Sequence, residues 1–249
     1  MDNVLVRYIK KPKLVEPVLI GGLPGVGNIG KLAADHLVDE TGAEKIAEIY
    51  SKHFPPQVIV KDDGVIRQVN NELYYLKNPE IIILVGDYQG LTPEGQYELA
   101  DVVLNIAEKF GVKKIFTLGG YGLGRMIKRP RVLGAATNEE LVREMKKYGV
   151  VFPKGEPGSG IIGASGLLLG LGMLRGMGGV CLMGETSGYF VDPKAARAVL
   201  EVLIKVLGIK IDFSELDEKA AAIERIASKM KDMEKQEVKR RREDLGYIG

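Results

Sequence analysis

The sequence is poor in the residues that hold metals or form disulfides. Among its 249 residues there is one cysteine, Cys181, and there are two histidines, His36 and His53. A single cysteine excludes a disulfide within the chain, and a zinc site built from Cys and His ligands has too few candidates. The formal net charge is only +2, which gives no argument for nucleic-acid binding. We expect no metal, no cofactor and no nucleic-acid partner.

Long hydrophobic runs are missing as well. Glycine or a charged residue interrupts every apolar run before it reaches the 18 residues that a membrane-spanning helix needs. The first residues, Met1-Asp2-Asn3-Val4, lack the basic-then-apolar order of a signal peptide. We therefore expect a cytoplasmic protein with no membrane partner. Hydrophobic residues still make up 45% of the chain, enough to form the core of one large α/β domain or two small ones.

Apolar runs of strand length alternate with stretches of helical character. The buried strands predicted from these runs are Glu80–Gly86, Lys114–Leu118 and Gly178–Gly184, and the helices run from Thr92 to about Phe110, from Asn138 to Lys147 and over Pro193–Leu207. Asn28 is positioned to cap an earlier helix. Shorter β-rich segments at Lys45–Tyr50, Gln57–Lys61, Val65–Val69 and Glu72–Leu76 are separated by turn residues. We predict a three-layer α/β/α sandwich extended by an antiparallel meander.

The C-terminal region has a different pattern, with no strand signals from Asp212 onward. Apolar residues recur there at spacings of three and four, at Leu216, Ala220, Ile223, Ile226, Met230 and Met233. This spacing predicts an amphipathic helix, so we divide the chain into a core domain, 1–212, and a helix and tail, 213–249. The stripe could pack on its own domain or form a contact between subunits, and we favour a contribution to assembly.

A glycine motif, Gly25-x-Gly27-x-x-Gly30, follows a predicted strand and opens a helix. That context suits a dinucleotide-binding turn, in which glycines let the backbone approach a pyrophosphate. The acidic residue expected about 20 positions later has only Glu48 as a loose match. A tight strand-to-helix turn explains the same glycines through positive φ and close packing. We favour the tight turn and keep these glycines as a possible ligand site.

Catalytic candidates are few. Asp87 follows the strand Glu80–Gly86 and Glu185 follows the strand Gly178–Gly184, and two carboxylates at adjacent strand ends could act as general acid and base. The alternative to a non-enzymatic protein is thus an enzyme that acts on a nucleoside or a phosphorylated metabolite. Twelve glycines lie between Gly155 and Gly188 and could form an anion-binding floor. Within that stretch we interpret residues 167–174 as a buried helix whose small residues allow close packing.

Three motifs resemble archaeal members of the proteasome-assembly-chaperone family. They are Gly21-Gly22-Leu23-Pro24-Gly25-Val26-Gly27-Asn28-Ile29-Gly30, Phe54-Pro55-Pro56, and Gly184-Glu185-Thr186-Ser187-Gly188-Tyr189 followed by Asp192-Pro193 and Ala195-Ala196. The resemblance extends over roughly residues 4–226. It implies a phosphorylase/hydrolase-like sandwich without a catalytic role. It also implies a homo-oligomeric assembly chaperone or activator that engages proteasome α-subunits or a related protein partner.

The resemblance also directs attention to the end of the chain. Proteasome partners of this kind insert a tail of hydrophobic residue, Tyr and any residue between neighbouring α-subunits. The matching residues here are Leu245, Tyr247, Ile248 and Gly249. Tyr247 is third from the end of the sequence rather than penultimate, and Gly246 stands where the hydrophobic residue would precede it. The departure leaves three expectations: tail-mediated binding in a shifted register, weak binding, or binding to some other partner. Several copies of a weak tail on one oligomer would reinforce one another.

Overall fold

The computed structural model describes residues 3–155 and 160–226. Their largest element is an eight-stranded sheet with helices packed on it. The strands are β1 (Val4–Tyr8), β2 (Val18–Gly21), β3 (Glu44–Ser51), β4 (Val58–Val60), β5 (Ile66–Gln68), β6 (Asn71–Leu76), β7 (Ile81–Gly86), β8 (Lys114–Gly122), β9 (Val132–Ala136) and β10 (Gly178–Thr186). The α-helices are α1 (Ile29–Thr41), α2 (Pro93–Lys109), α3 (Glu139–Lys146), α4 (Ala164–Leu174) and α5 (Pro193–Leu207), and residues 214–226 are helical as well.

The sheet has the strand order β1-β3-β6-β7-β2-β8-β10-β9. The four strands β7, β2, β8 and β10 are parallel to one another, and the strands at either side join them in antiparallel fashion. Every residue of β7 is buried, as expected for a strand with helices on both faces. The predicted α/β/α sandwich with an antiparallel extension is confirmed.

The antiparallel extension differs from the predicted meander. β3 pairs directly with β6, and the two segments between them, β4 and β5, form a separate two-stranded hairpin. The reason lies in the side chains: Ala47 and Ile49 of β3 and Leu73 of β6 are buried in one apolar core, whereas Val58, Val60 and Ile66 of the hairpin are exposed. The exposed hairpin residues add little to that core.

Two apolar cores lie on opposite faces of the sheet. Helices α2 and α4 cover one core, with Leu104 and Leu168 fully buried, and helices α1, α3 and α5 cover the other, with Leu37 and Val199 fully buried. Leu216 of the helical segment 214–226 is buried in the second core. The first part of the predicted apolar stripe therefore packs on its own domain.

Side-chain caps begin three of the helices. The Thr92 hydroxyl accepts from the backbone N–H of Gly95 at the start of α2, and the side chains of Asn138 and Asp192 start α3 and α5 in the same way. Asn28 precedes α1, but the prediction that its side chain caps this helix is wrong. Its backbone has φ 54°, and its side chain makes no capping hydrogen bond.

Candidate functional site

A cleft of about 910 Å³ opens at the carboxyl ends of the parallel strands. In open α/β sheets this edge is where ligands bind. The turn after β2 forms one wall, the glycine-rich end of β8 forms the floor, and residues 160–163 before α4 close the opposite side. The glycine motif and the other glycine-rich region thus meet at the same cleft.

The three glycines of the motif Gly25-x-Gly27-x-x-Gly30 have different surroundings in the structure. Gly27 has φ 62°, in the left-handed region that favours glycine, and its missing side chain would lie against Thr186. A Cβ on Gly30 would come within 2.3 Å of the carbonyl oxygen of Leu118, so the first turn of α1 packs directly on the β8 backbone. A Cβ on Gly25 would meet only the Gln89 amide nitrogen, at 3.8 Å. The close packing of the fold accounts for Gly27 and Gly30 without a ligand.

The Gln89 side chain bridges two walls of the cleft. Its amide nitrogen donates to the carbonyl oxygen of Pro24 at 2.5 Å, and its amide oxygen accepts from the backbone N–H of Ala164 at 2.9 Å. The Gln96 amide donates in turn to the carbonyl oxygen of Gly90. The side-chain amides of Gln89 and Gln96 are therefore engaged in hydrogen bonds within the protein.

The cleft contains no charged side chain among the described residues that line it. The thiol of Cys181 lies there, but burial raises its pKa to about 11, so it remains protonated at neutral pH and is a poor nucleophile. General acid–base or nucleophilic chemistry needs a group that can exchange a proton near the operating pH. Beside this thiol, the polar side chains that line the described walls are the hydroxyls of Tyr88, Tyr121 and Ser165 and the amides of Gln89 and Gln96.

Asp87 lies outside this cleft and is held by the hairpin. Both of its carboxylate oxygens accept hydrogen bonds from the Arg67 guanidinium, at 2.5 and 2.8 Å, and one also accepts from the backbone N–H of Asn70 at 3.1 Å. Burial works to raise the pKa of Asp87, but the hydrogen bonds and charge of Arg67 and the Asn70 N–H prevail and keep the pKa below its usual value. Asp87 is therefore an ionised, structural partner of Arg67.

Glu185 is similarly occupied. It accepts hydrogen bonds from the Nε and backbone N–H of Arg131, at 2.8 and 3.0 Å, and forms a further short contact with the same guanidinium. These hydrogen bonds lower the pKa of Glu185 in spite of the burial of its side chain. The pair fixes the strand end of β10 to the segment that leads into β9.

The prediction that Asp87 and Glu185 stand at adjacent strand ends is wrong. Strands β2 and β8 lie between β7 and β10, which separates the two strand ends by about 14 Å at the usual strand spacing. Asp87 lines a cleft beside α1, whereas Glu185 follows Cys181 and Met183 at two-residue spacing on the face covered by α2 and α4. Two carboxylates so placed do not act on one substrate atom.

The three motifs of the resemblance have structural contacts with each other and with the core. The Thr186 hydroxyl donates to the Asp192 carboxylate at 2.7 Å, and the backbone N–H of Asp192 donates to the carbonyl oxygen of Gly27 at 2.9 Å. Phe54 is buried in the core beneath α2, and the His53 Nε2 lies 2.7 Å from a carboxylate oxygen of Glu98. The motif around Gly27 and the motif around Asp192 are thus hydrogen-bonded to each other where α1 and α5 begin.

Some functional candidates lie outside the described residues. These are the predicted partner-binding residues Leu245, Tyr247, Ile248 and Gly249, together with Met230 and Met233 of the predicted apolar stripe. Within ranges 3–155 and 160–226, no group of three or more His, Cys, Asp or Glu side chains could hold a metal ion. Within the same ranges, no helix is both long and apolar enough to cross a membrane.

The sandwich and its joined motifs define a class of α/β/α protein in which Gly27 and Gly30 of the first glycine-rich turn pack tightly against the fold. A sequence model of the PAC2 family matches residues 19–231. The chain belongs to the PAC2 family.

Relatives with solved structures agree over nearly the whole chain. Pyrococcus furiosus PbaB, described as an archaeal proteasome activator, is 41% identical with a TM-score of 0.88, and the match covers 93% of this chain and 100% of that one. Pyrococcus furiosus PbaA, described as an archaeal homolog of proteasome-assembly chaperone, is 31% identical with a TM-score of 0.77, covering 98% and 99%. An uncharacterized protein of Methanocaldococcus jannaschii is 42% identical, covering 100% of this chain and 99% of its own.

Proposed function

We propose that this protein is a non-enzymatic, homo-oligomeric proteasome assembly chaperone or activator that works in the cytoplasm and binds proteasome α-subunits. The similarity to PbaB carries the proposal, since 41% identity and a TM-score of 0.88 extend over all of that proteasome activator's structure. A non-enzymatic protein needs no catalytic group in the cleft. This agrees with the uncharged lining of the cleft and with the ion pairs that Asp87 and Glu185 form with Arg67 and Arg131.

The binding residues of the proposal are Leu245, Tyr247, Ile248 and Gly249. A tyrosine ring offers apolar area and a hydroxyl hydrogen bond in a pocket between subunits. A single tail with a displaced tyrosine would bind weakly. Several tails on one oligomer raise the effective concentration and so the overall affinity.

Capture of purified α-subunits and of assembled core particles tests the proposal. The full chain is compared with a chain ending at Asp244 and with Tyr247→Ala, and Tyr8→Ala on β1 serves as a matched tyrosine control. We expect the full chain and the control to capture α-subunits and the two tail variants to lose capture while their thermal unfolding stays unchanged. Absence of capture by the full chain contradicts the proposal. Equal capture by all four assigns binding to another surface.

A further inference from the structure

Strand β8 continues beyond the end of the strand beside it. Strand β2 ends at Gly21, which pairs with Thr117, whereas β8 runs on to Gly122. On its other side β8 remains paired with β10 as far as Gly122. In the described part of the chain, the last five residues of β8, Leu118–Gly122, therefore have a neighbouring strand on one edge alone. We call their other edge the open β8 edge.

Backbone groups of the open β8 edge have no strand to bond. The backbone N–H of Leu123 donates to the carbonyl oxygen of Thr186 in β10, and successive residues of a parallel ladder direct their backbone groups to opposite edges. The N–H groups of Gly120 and Gly122 therefore point away from β10. Within residues 3–155 and 160–226, neither has a backbone acceptor outside the sheet ladders. An extended segment laid along this edge would supply the acceptors by strand addition.

The open β8 edge faces the cleft of about 910 Å³, and its glycines leave space there. Gly119, Gly120 and Gly122 all line the cleft. A Cβ on Gly119 would meet only the Ser165 hydroxyl, at 4.0 Å. The volume is in the range of pockets that hold a ligand. Because no charged side chain lines the described walls, the cleft suits a segment that itself has no charged side chains.

A segment of this composition belongs to the chain itself. Among residues 227–249, which lie beyond the described residues, Leu245-Gly246-Tyr247-Ile248-Gly249 has no charged side chain. In 227–244 charged residues interrupt every uncharged run after one or two positions. The cleft offers apolar side chains such as Leu23, Ile161 and Met183 to the leucine, tyrosine and isoleucine of this segment.

The last described helical residues lie at the same edge of the sheet as the cleft. The Lys194 Nζ donates to the Glu224 carboxylate at 2.9 Å, and Lys194 is in the first turn of α5, which follows the carboxyl end of β10. Two strand spacings, about 10 Å, separate β10 from β2. Residues 227–244 span about 27 Å even as a helix, and more if extended. The segment 245–249 is therefore within reach of the cleft of its own chain.

We propose that residues 245–249 dock in the cleft of their own chain as an added strand on the open β8 edge. The inference rests on the proposed function, because it names a regulation of the same tail. A docked tail is withheld from α-subunits, so the apparent affinity for them falls by the fraction of chains whose tail is undocked. Docking also removes the apolar side chains of the tail from water.

Tryptophan fluorescence tests the docking directly. The sequence has no tryptophan, so Tyr247→Trp in the full chain gives a single emission that reports on the tail. Gly119→Leu fills the cleft, and Gly170→Leu is the matched control, since a Cβ there meets nothing within 4 Å and Gly170 does not line the cleft. We expect acrylamide quenching to be at least about 3-fold stronger with Gly119→Leu than with the control or with Tyr247→Trp alone. Equal quenching in all three overturns the proposal.

Hydrogen exchange provides a measurement that does not depend on filling the cleft. The amides of Gly120 and Gly122 should exchange at least about 3-fold more slowly in the full chain than in a chain ending at Asp244. Equal exchange overturns the proposal. Shielding of the tail should also be constant over a dilution series, because the contact is within one chain. Shielding that disappears on dilution assigns the contact to the tail of another copy and likewise overturns the proposal.

The proposed function can stand or fall separately. Tail-dependent capture of α-subunits with an unshielded tail rejects the docking and leaves the proposed function intact. A shielded tail without any capture supports the docking and contradicts the proposed function. If both are right, Gly119→Leu should raise the affinity for α-subunits by about 3-fold or more, and Gly170→Leu should not change it.

Discussion

The turn from Gly25 to Gly30 and helix α4 are both glycine-rich, yet their glycines have opposite surroundings. The missing side chain of Gly30 is replaced by backbone atoms of β8, whereas the space beside Gly170 is empty. The turn has the sequence pattern of a ligand site, but it is packed internally. Helix α4 has the composition of a core segment, but it is partly exposed. What a glycine indicates therefore depends on which atoms occupy the position of its absent Cβ.

The largest effect is expected for Gly30→Ala. The new methyl group would meet the Leu118 carbonyl oxygen at 2.3 Å, and backbone on both sides cannot move far, so we expect a loss of about 3 kcal/mol or more in the free energy of unfolding. Gly25→Ala is the control, since its nearest contact is an ordinary 3.8 Å. Denaturant unfolding of both variants measures the difference. Equal stability of the two variants would contradict the close packing of Gly30 against β8.

Arg131→Met should have the next largest effect. It leaves the Glu185 carboxylate, whose side chain is 5% exposed, without its guanidinium. Because Arg131 is itself half exposed and water can enter, we expect a loss of about 2 kcal/mol rather than the full cost of a buried unpaired charge. Arg129→Met, in the exposed part of the same loop, should change the unfolding free energy by less than about 0.5 kcal/mol. A mild effect of Arg131→Met would mean that the strand-end carboxylate is free for another role.

Asp87→Asn should cost about 1–2 kcal/mol at neutral pH, because the charge partner of Arg67 is lost. The folded-state pKa of Asp87 lies below the ordinary value of 3.8, so its ionised form contributes stability above that pH. The contribution disappears as the pH falls through the folded-state pKa. The difference between wild type and variant should therefore shrink below pH 3.8 in acid unfolding experiments. A difference that grows toward acid would contradict this assignment.

The smallest effect, and the only stabilising one, is expected for Gly170→Ala. A Cβ there meets nothing within 4 Å, so the variant should raise the free energy of unfolding by about 0.5–1 kcal/mol through helix propensity alone. Thermal unfolding at matched low concentration checks the sign. A destabilised variant would show that Gly170 has an internal role after all, and the contrast with Gly30 would disappear.

Much of the fold follows from local sequence patterns. The apolar runs predict β7, β8 and β10, and the caps Thr92 and Asn138 mark two helix starts at the right residues. The patterns miss β9 because it is short and contains Gly134. They predict that helix α4 is buried because its composition is that of core, but periodicity does not show which of its faces another element covers.

The candidate site is harder to predict, because its groups find partners far along the chain. Asp87 meets Arg67, 20 residues earlier, and Glu185 meets Arg131, 54 residues earlier. A carboxylate after a strand suggests catalysis only while its partner is unknown. The strand order, which places β2 and β8 between the two carboxylates, is likewise set by crossovers that no local pattern records.

The position of β2 has a consequence for how the chain acquires its structure. This strand lies at the centre of the sheet, but both of its neighbours, β7 and β8, follow it in sequence only after the antiparallel strands β3 and β6. Contacts between residues so far apart in sequence raise the contact order, and parallel pairing must first close long loops, so we expect slow folding. During synthesis the apolar β2 emerges before β7 and β8, so its backbone has no strand to pair with until they are made. A newly made chain therefore passes through a stage in which its central strand lacks a partner.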